Sequence, residues 1–128
     1  MNDSKRRKRE EMIKRTKQFA LAIIRLYSSL PRDTVSQLLG RQVVRSGTSV
    51  GAHYREACRE KSRADFVSKI EGALQELDQT DYWLDLLREI YKEQSTQLQQ
   101  LIAEANELIS IFVAVMKVVK APSAVNKG

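Results

Sequence analysis

The chain has 128 residues, a length that suits one domain with its own hydrophobic core. It carries a net charge of +6 and one cysteine, Cys58, so no disulfide can form within it. The basic N-terminus is followed by no apolar stretch of the kind found in secretory signals, and no apolar run approaches the roughly 20 residues of a membrane helix. We therefore expect a soluble, cytoplasmic protein.

The charge is divided unevenly along the chain. Residues 1–63 contain 16 Lys and Arg against 6 Asp and Glu, whereas residues 64–128 contain 6 against 10. A basic half of this kind is typical of proteins with an anionic partner, and it favours nucleic acid over a membrane surface. Solubility combined with head-to-tail packing between copies of the chain is the alternative use of the same charges.

The first forty residues predict a basic arm followed by a helix that ends at a proline. Residues 1–9 are polar and predict a flexible arm, with five consecutive basic residues: Lys5, Arg6, Arg7, Lys8 and Arg9. Apolar residues at three- and four-residue steps then predict helix one, from about Glu10 to Ser29. The helix ends there because the residue before Pro31 avoids helical backbone angles.

Side chains that cap helices mark the starts of the remaining three. Asp33 precedes helix two, which is predicted to run to about residue 60. Ser62 precedes helix three, with Asp65 at the capping-box position three residues later. Ser95 follows a short polar turn and precedes helix four.

These elements predict an all-α fold in which the helices form an antiparallel, up-and-down four-helix bundle. Helix three is expected to end near Tyr91 and helix four near Lys120, which sets the bundle at residues 10–120. Short connections favour antiparallel neighbours. Residues 121–128 contain a proline and small polar residues and predict a disordered tail.

Helix two concentrates its arginines on one edge. At 100° per residue, Arg41, Arg45, Arg55 and Arg59 fall within a sector of about 80°. Arginine neutralises phosphates and donates paired hydrogen bonds to them, so the edge predicts a surface for a nucleic-acid backbone. The edge offers no row of aromatic side chains for stacking on bases, which favours recognition of backbone or shape. Pairing of these arginines with acidic residues of helix three is the alternative.

The remaining faces of helix two predict a core face and a close helix contact. The core face is predicted to contain Val35, Leu39, Val43, Ser46, Val50, Tyr54 and Ala57. Gly40, Gly47 and Gly51 share a separate strip of about 40°. Each glycine costs a helix up to about 1 kcal/mol relative to alanine, so three on one strip predict a neighbour that approaches the backbone closely. The alternative is a break in the helix near Gly47.

Helices three and four carry more apolar surface than one face of a small bundle can bury. Such an excess is typical of an interface, so the sequence predicts a homo-oligomer. The predicted interface residues, together with the three glycines, are Trp83, Leu86, Ile90, Ile111, Val115 and Val118. A broad core face on a curved helix is the alternative explanation.

No pattern in the sequence argues for an enzyme or a cofactor. His53, Glu56 and Glu60 resemble half of a metal site in a helical bundle, but such a site needs a second Glu-x-x-His motif, and the chain has one histidine. Cys58 lies near several arginines that favour a thiolate, yet a lone thiol in a helix is usually structural. We expect His53 to be a partly buried polar residue, and we predict no metal site. Asp78, Asp81 and Asp85, at i, i+3 and i+7, predict a solvated face of helix three that pairs with arginines, and binding of a cation is the alternative.

One stretch of the sequence resembles a bacterial protein family. The segment QVVRSGTSVGAHYREA over residues 42–57, followed by SRADF over residues 62–66, is similar to the signature of the 23S rRNA intervening-sequence proteins. That four-helix-bundle family is related to the accessory variability proteins of diversity-generating retroelements. The resemblance extends over about residues 15–118. His53 departs from it, because the family pattern usually has asparagine there.

The resemblance implies a bundle that assembles into a homopentameric ring. In the retroelement branch it further implies a basic accessory protein that binds nucleic acid and a reverse transcriptase. Together with the arginine edge, these features predict a non-catalytic, oligomeric protein that binds nucleic acid, with RNA preferred. The predicted contacts are the basic residues 5–9 with Arg41, Arg45, Arg55, Arg59 and Arg63. A protein-interaction scaffold that binds no nucleic acid is the alternative.

Overall fold

A computed structural model describes residues 2–92 and 95–121 of the chain. Four helices account for most of these residues: α1 (Asp3–Ser29), α2 (Thr34–Arg59), α3 (Arg63–Ile90) and α4 (Ser95–Lys120). No strand occurs in this part of the chain, so the prediction of four helices and an all-α fold is confirmed.

The capping residues predicted for two helices are confirmed. Asp33 Oδ1 accepts a hydrogen bond from the backbone N–H of Ser36 at 2.8 Å, and this contact holds the pKa of Asp33 below its ordinary value. Ser62 Oγ accepts from the backbone N–H of Asp65 at 3.1 Å. Each bond satisfies a backbone donor that the first turn of a helix leaves without a partner. The predicted cap at Ser95, the turn before it and the tail beyond residue 121 lie outside what the structure describes.

The N-terminal segment differs from the prediction. Residues 3–9 form the first two turns of α1 rather than an arm that precedes it. The helix begins here because Asn2 caps it, with its side-chain oxygen accepting from the backbone N–H of Lys5 at 2.8 Å. The long basic side chains are also good helix formers, and Asp3 lies favourably in the first turn.

The helices are antiparallel to their neighbours and follow one another around the bundle. Contacts between distant residues set the register, since Ser46 meets Thr80 and Glu56 meets Lys69 between α2 and α3. Among neighbouring helices, α1 and α4 are in the least extensive contact. Arg15 of α1 connects them by donating hydrogen bonds to both carboxylate oxygens of Glu104 at 2.8 and 2.7 Å. These hydrogen bonds raise the pKa of Arg15 above its ordinary value.

The core lies between the four helices, and on α2 it closely follows the predicted face. Its largest fully buried side chains come from all four helices and include Ile23, Val43, Leu84, Leu108 and Phe112. Phe112 stacks on Tyr54 with ring centroids 5.5 Å apart. Val35 was predicted to belong to this core but is 51% exposed. It lies in the first turn of α2, beyond the layer that the neighbouring helices cover.

The glycines of α2 pack against α1 of the same chain. The helix is continuous through Gly47, so the alternative of a break is excluded. A Cβ atom added at Gly47 would lie 2.9 Å from Cγ1 of Ile23, and one at Gly51 would lie 3.1 Å from Oγ1 of Thr16. One added at Gly40 would clash with the ring of Tyr27. The predicted close contact is therefore real, but its partner is α1, and the assignment of these buried glycines to an interface between copies is wrong.

Candidate nucleic-acid interface

The arginine edge of α2 exists, and three of its four members are unengaged. Arg41, Arg55 and Arg59 are exposed and form no ion pair with any residue that the structure describes. Arg45 instead leans toward α3, where its guanidinium lies 2.6 Å from Oε1 of Gln79 and 3.6 Å from Oε2 of Glu76. The alternative of pairing with α3 thus holds for Arg45 and not for the other three.

The three aspartates predicted to form an acidic face on α3 do not pair with the arginines of α2. Asp85 pairs with Arg88 one turn later at 2.5 Å, and Asp81 accepts from the side-chain amide of Asn106 on α4 at 3.1 Å. Asp78 is exposed. Because none of these carboxylates pairs with an arginine of α2, the cationic edge keeps its positive potential toward solvent.

The N-terminal basic residues divide into two groups. Lys5, Arg6, Arg7 and Lys8 are exposed on the first turns of α1, where Arg6 has only a loose contact of 3.9 Å with Asp3. Arg9 is partly buried instead. Its guanidinium lies over the ring of Phe66 at 5.5 Å.

Arg9 Nη1 also donates to the backbone carbonyl of Cys58 at 3.4 Å. Arg9 therefore fastens α1 to the end of α2 and the start of α3, so it is not free to bind a ligand as predicted. Arg63, the first residue of α3, is exposed close to this junction.

A cationic residue that the sequence pattern did not single out lies opposite Arg55. Lys17 of α1 and Arg55 of α2 line the same open cleft, of about 250 Å³, on the outer side of the α1–α2 contact. Its floor is formed by short side chains and by Ile13, and the remaining lining residues are Thr16, Ala20, Thr48, Gly51 and Ala52. Lys17 and Arg55 belong to different helices, so only the register between α1 and α2 brings them to the same cleft.

The histidine, cysteine and acidic residues of α2 do not converge on a ligand site. Glu56 accepts a hydrogen bond from Nζ of Lys69 at 2.7 Å, which lowers the pKa of Glu56 and raises that of Lys69. The His53 ring lies against Gly72 of α3. Cys58 is half-buried against the core. Within the described ranges, no three histidine, cysteine, aspartate or glutamate side chains are grouped closely enough to hold a metal ion.

Apolar side chains are exposed at one end of the α2–α3 pair. Val35 and Leu38 of α2 are 51% and 58% exposed, and Ile90 near the end of α3 is 49% exposed. Tyr82, two turns earlier on α3, is 56% exposed and lies outside this end of the pair. Of the predicted interface residues, Ile90 belongs to this patch, which we call the α2–α3 end patch. The predicted Trp83 and Leu86 are half-buried on the same face of α3.

The predicted interface residues of α4 are less uniform. Val118 is 76% exposed, whereas Ile111 and Val115 are half-buried beside α1. Val113, which the sequence pattern did not single out, is 38% exposed. The structure therefore offers apolar surface on α4 as well as at the α2–α3 end patch.

Comparison with known proteins places the chain in a family. The family described as 23S rRNA-intervening sequence protein matches residues 8–114. The chain belongs to this family. Its fold is also that of a crystal structure of a protein of unknown function from the S23 ribosomal protein family of Bacteroides thetaiotaomicron. The two chains are 33% identical with a TM-score of 0.76, over 82% of this chain and 97% of the other.

No curated protein matches the chain. None of its described helices has the length and hydropathy needed to cross a bilayer. The family match covers both the arginine edge of α2 and Lys17 of α1, so the surface described above belongs to the family domain.

Proposed function

We propose that this protein is a non-catalytic protein that binds nucleic acid, RNA in preference to DNA, through its α2 edge. The observation that carries the proposal is the row of Arg41, Arg55 and Arg59, which are exposed and unpaired within the described residues. Unpaired arginines on one helix edge create a positive potential that a phosphate backbone neutralises, and the released counterions favour binding. The exposed basic residues of the first turns of α1 extend the same charge.

The chemistry of this surface favours phosphate contacts over base recognition. No aromatic ring is exposed along the α2 edge, since Tyr54 is buried under α1 and α4. Stacking on unpaired bases is therefore not available, whereas Arg41 and Arg59 span roughly 27 Å of helix and can reach several phosphates. The preference for RNA is part of this proposal and is tested with the matched RNA and DNA hairpins described below.

A salt titration tests this function. We expect a structured RNA to bind the purified protein at low ionic strength, with log K falling linearly against log salt concentration and a slope that reports the number of phosphates neutralised. Fluorescence anisotropy with a labelled RNA hairpin and a DNA hairpin of the same sequence measures both affinity and preference. If neither hairpin binds at low salt, the proposed function is wrong.

We also propose that the protein assembles with copies of itself, as a homopentameric ring. The support for assembly is the exposed apolar surface in two separate places, at the α2–α3 end patch and on α4 around Val118. The number of five copies comes from the resemblance to the family. Two different patches that meet in a head-to-tail contact produce a ring when the rotation closes. A ring would repeat the cationic edge and multiply its affinity for a long polyanion.

Charge placed in the α2–α3 end patch tests the assembly. We expect Leu38→Glu combined with Ile90→Glu to convert the oligomer into monomers, because burying two unpaired carboxylates in an interface costs several kcal/mol. Light scattering coupled to size exclusion measures the mass. Ser68→Glu, at an exposed position on the same helix as Ile90, is the control and should leave the mass unchanged. A monomeric wild-type protein would contradict the proposal.

A reverse transcriptase is the protein partner that we propose, on the strength of the resemblance to accessory proteins of diversity-generating retroelements.

The rival function is a protein-interaction scaffold that binds no nucleic acid. The contact of Arg45 with Glu76 favours the scaffold function, because this contact shows that an arginine of the α2 edge can pair with a carboxylate. The scaffold predicts that substitutions at Arg41, Arg55 and Arg59 disrupt the oligomer before they affect any RNA.

A further inference from the structure

The outer groove between α1 and α2 joins cations from two helices. Lys17 and Arg55 line its central cleft, which is the open volume of about 250 Å³ described above. Neither side chain forms an ion pair with a described residue. No carboxylate is among the residues that line the cleft, so an anion that enters it is attracted by both cations.

The groove is open above its floor because the side chains that form the floor are short. The helices approach closely at Gly51, where an added Cβ would lie 3.1 Å from Oγ1 of Thr16. Ala20, Thr48 and Ala52 continue the floor on either side. Short side chains leave the space above them open, so an elongated ligand can lie along the groove in reach of the cations on both walls.

The positive charge continues along the groove beyond its central cleft. Arg59 lies one turn after Arg55 on the same edge of α2, and Arg41 lies toward the other end. Arg6 lies near the end of α2 because the two helices are antiparallel and Arg9 contacts Cys58. An acidic residue, Glu10, lies on the same side of α1, so cations outnumber carboxylates along this line.

We infer that the groove between α1 and α2 holds the sugar–phosphate backbone of one nucleic-acid strand, with phosphates between Lys17 and Arg55. The inference rests on the proposed function and adds to it the location of the strand and a contact from α1. Helix axes 8–10 Å apart define a groove that admits one backbone and not a whole duplex. An acidic protein segment is disfavoured as the occupant, because the floor has no deep apolar pocket for anchoring side chains.

Two matched pairs of variants test this location in the full-length protein, with an RNA hairpin as the probe. Lys17→Gln is expected to weaken RNA binding and to lower the salt slope by about one contact. Lys14→Gln is the control, because Lys14 is an exposed lysine of the same helix that does not line the cleft, and it should leave RNA binding unchanged. Ala52→Met adds bulk to the groove without changing charge and should weaken binding. Ala103→Met, at an exposed position of α4, is the control for Ala52→Met.

The outcomes separate the groove from the proposed function. If the wild-type protein binds RNA but both members of each pair behave alike, the groove is not the site, while the function stands. If the wild type does not bind RNA, the function itself fails. If poly-glutamate binds in place of RNA with the same dependence on Lys17, the occupant is an acidic protein segment and the inference is overturned. If Ala52→Met lowers the melting temperature, its effect on binding cannot be assigned to the groove. Lys17→Gln, which adds no bulk, then decides whether the groove is the binding site.

Discussion

Replacing Arg41, Arg55 and Arg59 together by glutamate is expected to weaken RNA binding by about 100-fold or more at moderate salt. Each arginine is exposed and unpaired in the described structure, so each is available for a phosphate. A hydrogen bond to a charged group contributes about 1.5–3 kcal/mol, and three lost contacts therefore exceed two orders of magnitude. Fluorescence anisotropy across a salt series should show a slope that is shallower by about three contacts.

A charge-matched control distinguishes the edge from a general effect of net charge. Lys14, Arg25 and Lys117 are exposed outside the α2 edge, and reversing all three changes the net charge by the same amount. We expect this control to retain most of the affinity. Equal losses in the two triple variants would contradict a defined interface. Loss of the oligomer in the arginine variant, with no RNA bound by the wild type, would favour the scaffold.

Gly47→Ala is expected to destabilise the protein, whereas Gly72→Ala is expected to be neutral or stabilising. Both changes add one methyl group in the middle of a helix and gain up to about 1 kcal/mol of helix propensity. At Gly47 the new Cβ would lie 2.9 Å from Cγ1 of Ile23, which is fully buried. Overpacking of this kind costs about 1–3 kcal/mol, so the net change should lower the free energy of unfolding.

Gly72 offers the opposite environment. Its added Cβ would lie 3.1 Å from the ring of His53, a half-buried side chain that can shift toward solvent. Urea denaturation of the two variants beside the wild type measures the difference, which should be about 2 kcal/mol. Equal stability of the two variants would show that α1 yields at Ile23 and that the close approach of α1 and α2 is not rigid.

The same contact connects stability to the proposed site. Lys17 reaches the cleft beside Arg55 only because the glycines of α2 let α1 approach, with Thr16 lying against Gly51. We therefore regard the glycine strip as the feature that builds the groove. Its buried position also explains why these residues are unsuitable for contacts between copies of the chain.

Local features of the fold were predictable because each depends on a few neighbouring residues. The caps at Asp33 and Ser62 follow from the hydrogen bond that a short polar side chain offers to the next turn. The end of α1 follows from the restriction that Pro31 places on Leu30. Helical periodicity likewise separated the buried face of α2 from its arginine edge.

Features that depend on another helix were predicted incompletely. The segment over residues 3–9 was expected to be an arm, since its charge pattern carries no apolar period, but it is helical and Arg9 packs on Phe66 of α3. The glycine strip was correctly linked to a close neighbour and incorrectly to a second copy. A helical wheel shows which residues share a face without showing which helix covers it.

The amino-acid sequence by itself determined the four helices, the caps at Asp33 and Ser62, most of the core and the basic edge of α2, because propensity, capping and periodicity act within one helix. Only the tertiary structure decided which cations remain available. Arg45 turns to α3, Arg9 is held at a helix junction, and Lys17 comes beside Arg55. The physical reason is that the register between antiparallel helices depends on side-chain packing across their whole length, so it cannot be derived from either helix alone.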